Sequence, residues 1–478
     1  MFLLIILVTA VLVRIPRLDF PLSYIFAWGD GARDFFIANH ILSFREFPLL
    51  GPFNLLYDSG IYNTPLYYYI LSFFLIPFNN VLTLGVVNIF FQIGTILIIY
   101  LIAKKLFDKK TAILSILIFS FNPEILAQSD YIWQPHLSQT FAYLALLFAV
   151  LFHLKNRLIF LISSSLALAF SFAMHNSTFP WIPIFFIFFF RHFFKIFFIF
   201  SLFLGILYIP VGVYLLQSEI VRVPFSLFIQ NINQYFINFF INFEGILKAF
   251  NLDIWWLAVV SILSFVYFLK SKDFRNVKIS VLLLLILFIA PLFFASFFNK
   301  FRLHYLTLSL GVFTIFISKI FTSFHKFRLI TGIMIILFLK STTADFQFLY
   351  FKTPFENLKS IDQITMQILG EVRDAPFQIK SYAMDEKIVE YPVLDTVFLI
   401  PLEKKLNKKL AVISDNSPYN HVQTGGKEYF VVACHEFSNL SRWKECLNVF
   451  QRSYPNYGIL KNLYTGSNMA VYLTKHEN

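Results

Sequence analysis

The run Trp28-Gly29-Asp30-Gly31-Ala32-Arg33-Asp34 follows the first apolar segment of the chain and opens a helix-like stretch, Phe35 to Phe44. It sets two carboxylates and a guanidinium within five residues, in a sequence that is otherwise 58% hydrophobic and only 14% charged. If the stretch is helical, Asp30 and Asp34 lie one turn apart on one face. So concentrated a polar outcrop has to be assigned to one side of a membrane, and that assignment fixes the rest of the topology.

The membrane follows from composition. A mean hydropathy of +0.69 is too high for a soluble domain, and many apolar runs approach the roughly 20 residues of a bilayer-spanning helix. Phe supplies 65 of the 478 residues; in lipid Phe serves about as well as Leu, so the Phe runs carry no site information. A net charge of +12 would suggest nucleic acid in a soluble protein. Here the basic residues sit in short loops between apolar runs, so they report topology, and no nucleic-acid partner is expected. Met1 to Val13 lacks a charged start and a small-residue cleavage site and reads as a retained first helix.

Spanning candidates are 1–15, 81–103, 111–128, 137–154, 158–174, 179–190, 194–216, 254–270, 279–298, 303–320 and 328–341. Basic loops at 104–110, 155–157, 191–195, 270–278 and 319–328 alternate with basic-poor loops at 129–136, 175–178, 217–253 and 299–302. With the basic set cytoplasmic, residues 17–80 form one long outer loop. Parity then requires the short Tyr-rich run 66–78 to lie along the membrane without crossing it. The expectation is eleven crossings, with Arg14 and Arg17 outside beside the acidic run. Loop 217–253 reads as an interfacial amphipathic segment that would help admit a lipid.

From about Thr342 charged residues become common and apolar runs shorten to strand length. Phe355 to Val372 reads as an amphipathic helix. Gln378 to Met384, Val397 to Pro401, Leu410 to Ser414, Tyr429 to Ala433 and Met469 to Thr474 read as strands. The division is a membrane domain, 1–341, and a soluble α/β domain, 342–478, placed by parity on the same outer side as Asp30. Cys434 and Cys446 form one disulfide there if the compartment is oxidising, or remain two thiols.

The outer loop continues as Pro48-Leu49-Leu50-Gly51-Pro52 and Pro65-Leu66-Tyr67-Tyr68-Tyr69, and a second outer loop reads Ser129-Asp130-Tyr131-Ile132-Trp133-Gln134-Pro135-His136. The order of these parts resembles the C-type superfamily of integral-membrane glycosyltransferases, in the branch of the protein O-mannosyltransferases and the lipid A aminoarabinose transferase. The likeness covers about residues 1–140. It implies transfer of a sugar from a polyprenyl-phosphate donor, among membrane lipids, to a glycan, lipid or protein acceptor on the outer face. The acceptor must lose a proton during attack, so a carboxylate is needed as general base. Asp30 matches the family's loop-one aspartate. Asp34 would share its proton or orient substrate, since neighbouring carboxylates push one another up, and Asp130 is the second acidic candidate. The plainer account makes Asp30 a helix cap and Asp34 a solvated residue.

The lipid phosphate needs cationic donors, and Asn299-Lys300-Phe301-Arg302-Leu303-His304-Tyr305 is the best placed, again similar to the family's late loop; Arg14, Arg17 and Arg33 are rivals. Lys300, Arg302, His304 and Tyr305, with Arg33, Tyr67 and Trp133, form the expected substrate-binding set. His175-Asn176 reads as a structural cap. No spacing specifies a metal, and members of the superfamily differ, so use of a divalent metal stays open. Two other functions compete: a transporter or flippase of lipid-linked saccharides, which calls for charges inside helices, and a noncatalytic scaffold displaying the C-terminal domain, in which Asp30, Asp34 and Asp130 do not converge.

Overall fold

The computed structural model describes residues 2–18, 30–52, 62–127, 132–217, 232–249, 272–296, 306–323, 358–384, 387–415, 421–436, 442–466 and 469–477. Helix α1 (Phe2–Leu12) is apolar all round: Ile6 and Ala10 face inward, while Phe2, Leu4, Ile5, Val8 and Leu12 point outward. Such a helix needs surroundings other than water. The first loop folds into α2 (Asp30–Phe44) and α3 (Leu66–Leu75). Ten residues span roughly 15 Å, half the hydrocarbon thickness.

Helix α4 (Val81–Leu106) starts where Asn80 accepts from Leu82 N, and α5 (Lys109–Phe121) where Asp108 accepts from Thr111 N at 2.9 Å. A single turn, α6 (Pro123–Ala127), precedes α7 (Gln134–Lys155), which stops at Asn156 in the left-handed region, φ 50°. Helices α8 (Leu158–Met174) and α9 (Trp181–Phe188) follow. The expected single helix 194–216 is instead two, α10 (Phe193–Leu207) and α11 (Ile209–Gln217). Pro210 has no N–H to donate, and the chain tightens just before it, with Tyr208 N donating to both Leu204 O and Gly205 O.

Within loop 217–253 lies α12 (Ile232–Ala249), which turns Phe236, Ile237 and Phe240 outward. Its Asn238 donates to Ser296 O, just past α13 (Lys272–Ala295), and α14 (Thr307–Ser323) completes this part. The spanning candidates at 254–270 and 328–341 lie outside the described residues. Among those described, Val81–Leu106, Gln134–Lys155 and Phe190–Leu207 are long and apolar enough to cross a bilayer, and shorter apolar helices surround them. Buried hydroxyls bond within the helix bundle, as at Thr95–Thr140 (2.7 Å) and Ser171–Thr178 (2.6 Å), which satisfies them without water. The chain is a multi-pass membrane protein.

The C-terminal domain begins with α15 (Leu358–Val372) and β1 (Phe377–Met384), then β2 (Ile388–Glu390) and α16 (Thr396–Leu406). Strands β3 (Ala411–Ile413) and β4 (His421–Gln423) make a small ribbon. The main sheet adds β5 (Tyr429–Glu436), α17 (Trp443–Ser453), β6 (Tyr457–Thr465) and β7 (Met469–His476), in the order β2-β1-β5-β7-β6, with only the β1–β5 pair parallel. The run Val397 to Pro401, expected as a strand, is helical. Thr396 through Ile400 are all buried, so no alternation marks a face, and a fully buried apolar run cannot be typed by periodicity. Asn407, left-handed at φ 48°, ends that helix. One sheet face packs on α17, where Cys446 is disulfide-bonded to Cys434 of β5. The other face shares a continuous apolar core with α15, α16, α2 and α3.

Candidate active site

Helix α2 begins at Asp30, so its first turn carries the acidic run. Arg33 is buried and lies between the two carboxylates: Nη1 donates to Asp30 Oδ1 at 2.7 Å, while Nε and Nη2 donate to Asp34 Oδ1 at 3.0 and 2.7 Å. Asp34 is fully buried, whereas the Asp30 side chain remains 20% exposed. The account in which Asp34 faces water is therefore wrong. Burial pushes the Asp34 carboxyl up to about 7, against the pull of Arg33, and the charge of Asp30 adds to the push. The rise expected from paired carboxylates is present, but burial is its main cause and Asp34 is the group that bears it.

Tyr67 and Tyr68 of α3 close over this pair, both fully buried. Burial and the neighbouring carboxylates hold both phenols protonated. The Tyr67 hydroxyl donates to Ile132 O at 3.2 Å, tying the first loop to the start of α7. Trp133, at the N-cap of α7, lies edge-on to His136 at 5.8 Å. Thr64 donates to Ala173 O at 2.8 Å at the end of α8. Gly51 fits because its N–H donates to Asn63 O at 2.9 Å and a Cβ there would collide with the Thr64 carbonyl. The Pro48–Pro52 run thus backs the site as a tight turn. His175 is a structural cap, as its sequence position suggested: its backbone N–H donates to Ser171 O at the end of α8, and its Nδ1 accepts from Ser177 N at 3.2 Å at the start of the turn 176–178.

Asp30, Arg33, Asp34, Tyr67 and Trp133 therefore gather where α4 and α7 begin and α8 ends. The basic turns 104–110, 155–157 and 191–195 lie at the opposite ends of these helices, with His192 against Phe152 at 5.3 Å. Asp130, Lys300, Arg302, His304 and Tyr305 lie outside the described residues. Arg14 is buried and spent on structure, with donors on Gln92 Oε1 (2.8 Å), Ala10 O and Ser120 O. No group of three His, Cys, Asp or Glu among the described residues forms a metal cluster.

Sequence reading missed the polar seam behind α2. His40 stands between Glu46 and Glu403, and Asp415 accepts from Leu49 N and Leu50 N at 3.0 Å. Glu46 is six residues from His40, but Glu403 and Asp415 lie more than 360 residues from their partners, so no local spacing announces the seam.

No protein-family model and no curated protein sequence matches the chain. Solved structures do. ArnT from Cupriavidus metallidurans bound to undecaprenyl phosphate superposes with a TM-score of 0.61 at 10% identity, covering 98% of this chain and 97% of that one. The same protein in its apo state gives 0.62 with the same identity and coverage. Across nearly its whole length, the chain has the fold of ArnT.

Proposed function

We propose that the chain is an inverting glycosyltransferase of the cell membrane, moving a sugar from a polyprenyl-phosphate donor to an acceptor hydroxyl or amine on the outer face. The observation that carries this reading is the Asp30–Arg33–Asp34 constellation at the membrane edge of an ArnT-like fold. A base must touch its substrate, and Asp30 is the exposed carboxylate of the two. Asp34 is the buried one: it anchors the Arg33 guanidinium, which in turn orients Asp30. As the acceptor oxygen attacks the anomeric carbon, its proton passes to Asp30 and the carbon–phosphate-oxygen bond breaks on the far side. The bonding pair leaves with the polyprenyl phosphate, for which Lys300 and Arg302, with His304 and Tyr305, supply donors. Trp133 offers ring surface to the sugar, the fully buried Tyr67 backs the acidic pair, and Asp130 assists the acceptor. The reading carries with it eleven crossings, an outer loop 17–80, and a C-terminal domain 342–478 on the same outer side.

The test uses full-length purified protein, labelled polyprenyl-phosphate sugars and Asp30→Asn. The amide keeps the Arg33 contact but cannot take a proton, so transfer is expected to drop by about 10²–10⁴-fold. Undiminished transfer would sink the assignment of Asp30. A transporter would run its cargo past ionisable groups inside the bundle. Arg14 and Lys319, both buried in helical parts of the bundle, are each committed to local partners, Lys319 to Asp108 at 3.5 Å. A scaffold gives no reason for Asp30 and Asp34 to meet on one guanidinium.

A further inference from the structure

His40 lies two turns beyond Arg33 on the same stripe of α2 and is fully buried. Its Nδ1 is 2.8 Å from Glu46 Oε2, and its Nε2 is 2.7 Å from Glu403 Oε2 on α16 of the C-terminal domain. Each carboxylate is fixed from its other side. Glu403 Oε1 accepts from Leu410 N (2.7 Å) and Ala411 N (3.0 Å). Glu46 pairs with Lys409 and accepts from Ile413 N at 3.2 Å. Burial pushes the Glu46 carboxyl up, but bonds from His40, Lys409 and Ile413 outweigh it and hold it low, so it is ionised. Phe36 and Phe44 flank the imidazole, His421 packs against Phe36, and Asp415 is occupied by Leu49 and Leu50 N–H.

A carboxylate only accepts, and a neutral imidazole donates from one nitrogen alone. Both His40 bonds stand together only with one extra proton on the His40–Glu403 pair. Charge balance points the same way: two carboxylates against the Lys409 ammonium leave one negative charge, which that proton cancels.

We propose that His40 is a positioning residue: through its proton-bridged contact with Glu403, the C-terminal domain holds α2 in the register that sets Arg33 between Asp30 and Asp34. The proposal rests on the transferase reading for its effect on turnover, but not for the contact itself. Loss of the proton leaves two buried carboxylates facing a single donor. The seam then opens, α2 shifts, and turnover falls.

The experiment uses full-length protein in detergent at a single pH, with two readouts: amide hydrogen exchange of α2, and transfer kinetics. In Glu403→Ala, which leaves His40 Nε2 without this partner, exchange in α2 is expected to rise about tenfold and kcat to fall. Glu403→Gln is the decisive variant. Its Oε1 still accepts from Leu410 and Ala411, and its amide donates to a neutral Nε2, so exchange and kcat stay at the wild-type level. His40→Gln, which keeps one donor, shows raised exchange. Unchanged exchange in Glu403→Ala, or a Glu403→Gln as loose as Glu403→Ala, overturns the proposal. Exchange that behaves as expected with no donor consumed refutes the transferase reading and leaves the seam standing.

Discussion

Arg33→Met removes the only cation that the described residues bring to the buried Asp34 carboxylate. Two of the three guanidinium bonds go to Asp34 Oδ1, and neither has a replacement in the variant. The carboxyl then folds as the neutral acid. In the unfolded chain it ionises near its ordinary value of 3.8, so above that value the folded state holds the extra proton and stability falls as pH rises. In wild type that slope ends near 7, where the paired carboxyl ionises; in Arg33→Met it continues at about 1.36 kcal/mol per pH unit, which adds about 1.4 kcal/mol at pH 8 and about 2.7 kcal/mol at pH 9. With an unfolding entropy of about 2.1 cal/mol/K per residue over 478 residues, about 1 kcal/mol corresponds to 1 °C. Thermal unfolding followed by tryptophan fluorescence in detergent should therefore show the deficit of Arg33→Met against wild type about 3 °C larger at pH 9 than at pH 7. Adding Asp34→Asn should erase the pH dependence. A pH-independent deficit, or a double variant as pH-sensitive as the single one, would refute the reasoning.

Asp395 offers a parallel case in the C-terminal domain. Burial pushes its carboxyl up to about 8, although it accepts from Ser381 N at 2.9 Å and Gln423 Nε2 at 2.8 Å. Domain stability should decline as pH rises between about 4 and about 8, and proteolysis of Asp395→Asn should lack that slope. Replacing both Cys434 and Cys446 by Ser opens a link across 12 residues; the loss should be about 3 kcal/mol, read as earlier cleavage of the C-terminal domain in a urea series. Gly51→Ala should weaken the first loop through collision with the Thr64 carbonyl, read as faster amide exchange at Asn63 and Thr64.

Much of the architecture was legible because the chain repeats simple physics. Apolar length marks the membrane helices, loop charge marks their ends, and short apolar runs bounded by polar stretches mark β5 and β7, which are flanked by other strands and buried along most of their length. The acidic run stood out because two carboxylates and an arginine within five residues are rare in a chain only 14% charged, while the role given to it came from the resemblance and not from the spacing. What escaped reading was non-local. Strand β6 exposes most of its residues at a sheet edge, so its side chains do not alternate cleanly. Residues 396–400 are buried on every side and carry no period. Either state of Cys434 and Cys446 was compatible with the sequence; they are bonded because α17 brings one beside the other on β5. His40 reads as an isolated polar residue on an apolar helix until the fold brings Glu403 to it.

The seam between α2 and the C-terminal domain also orders the protein's birth. His40 and Glu403 are separated by 363 residues, and a ribosome adding about 5–20 residues per second needs roughly 20–70 s to make that distance. Through this interval α2 is complete, yet Glu403, Lys409 and Asp415, which hold its far end, have not been made. The carboxylates and imidazole of the first loop must wait in water at the membrane edge while the bundle assembles beneath them. The last quarter of the chain to leave the ribosome is the part that locks the first loop in place, so a chain cut short before it inserts normally but is delivered with its acidic centre unset.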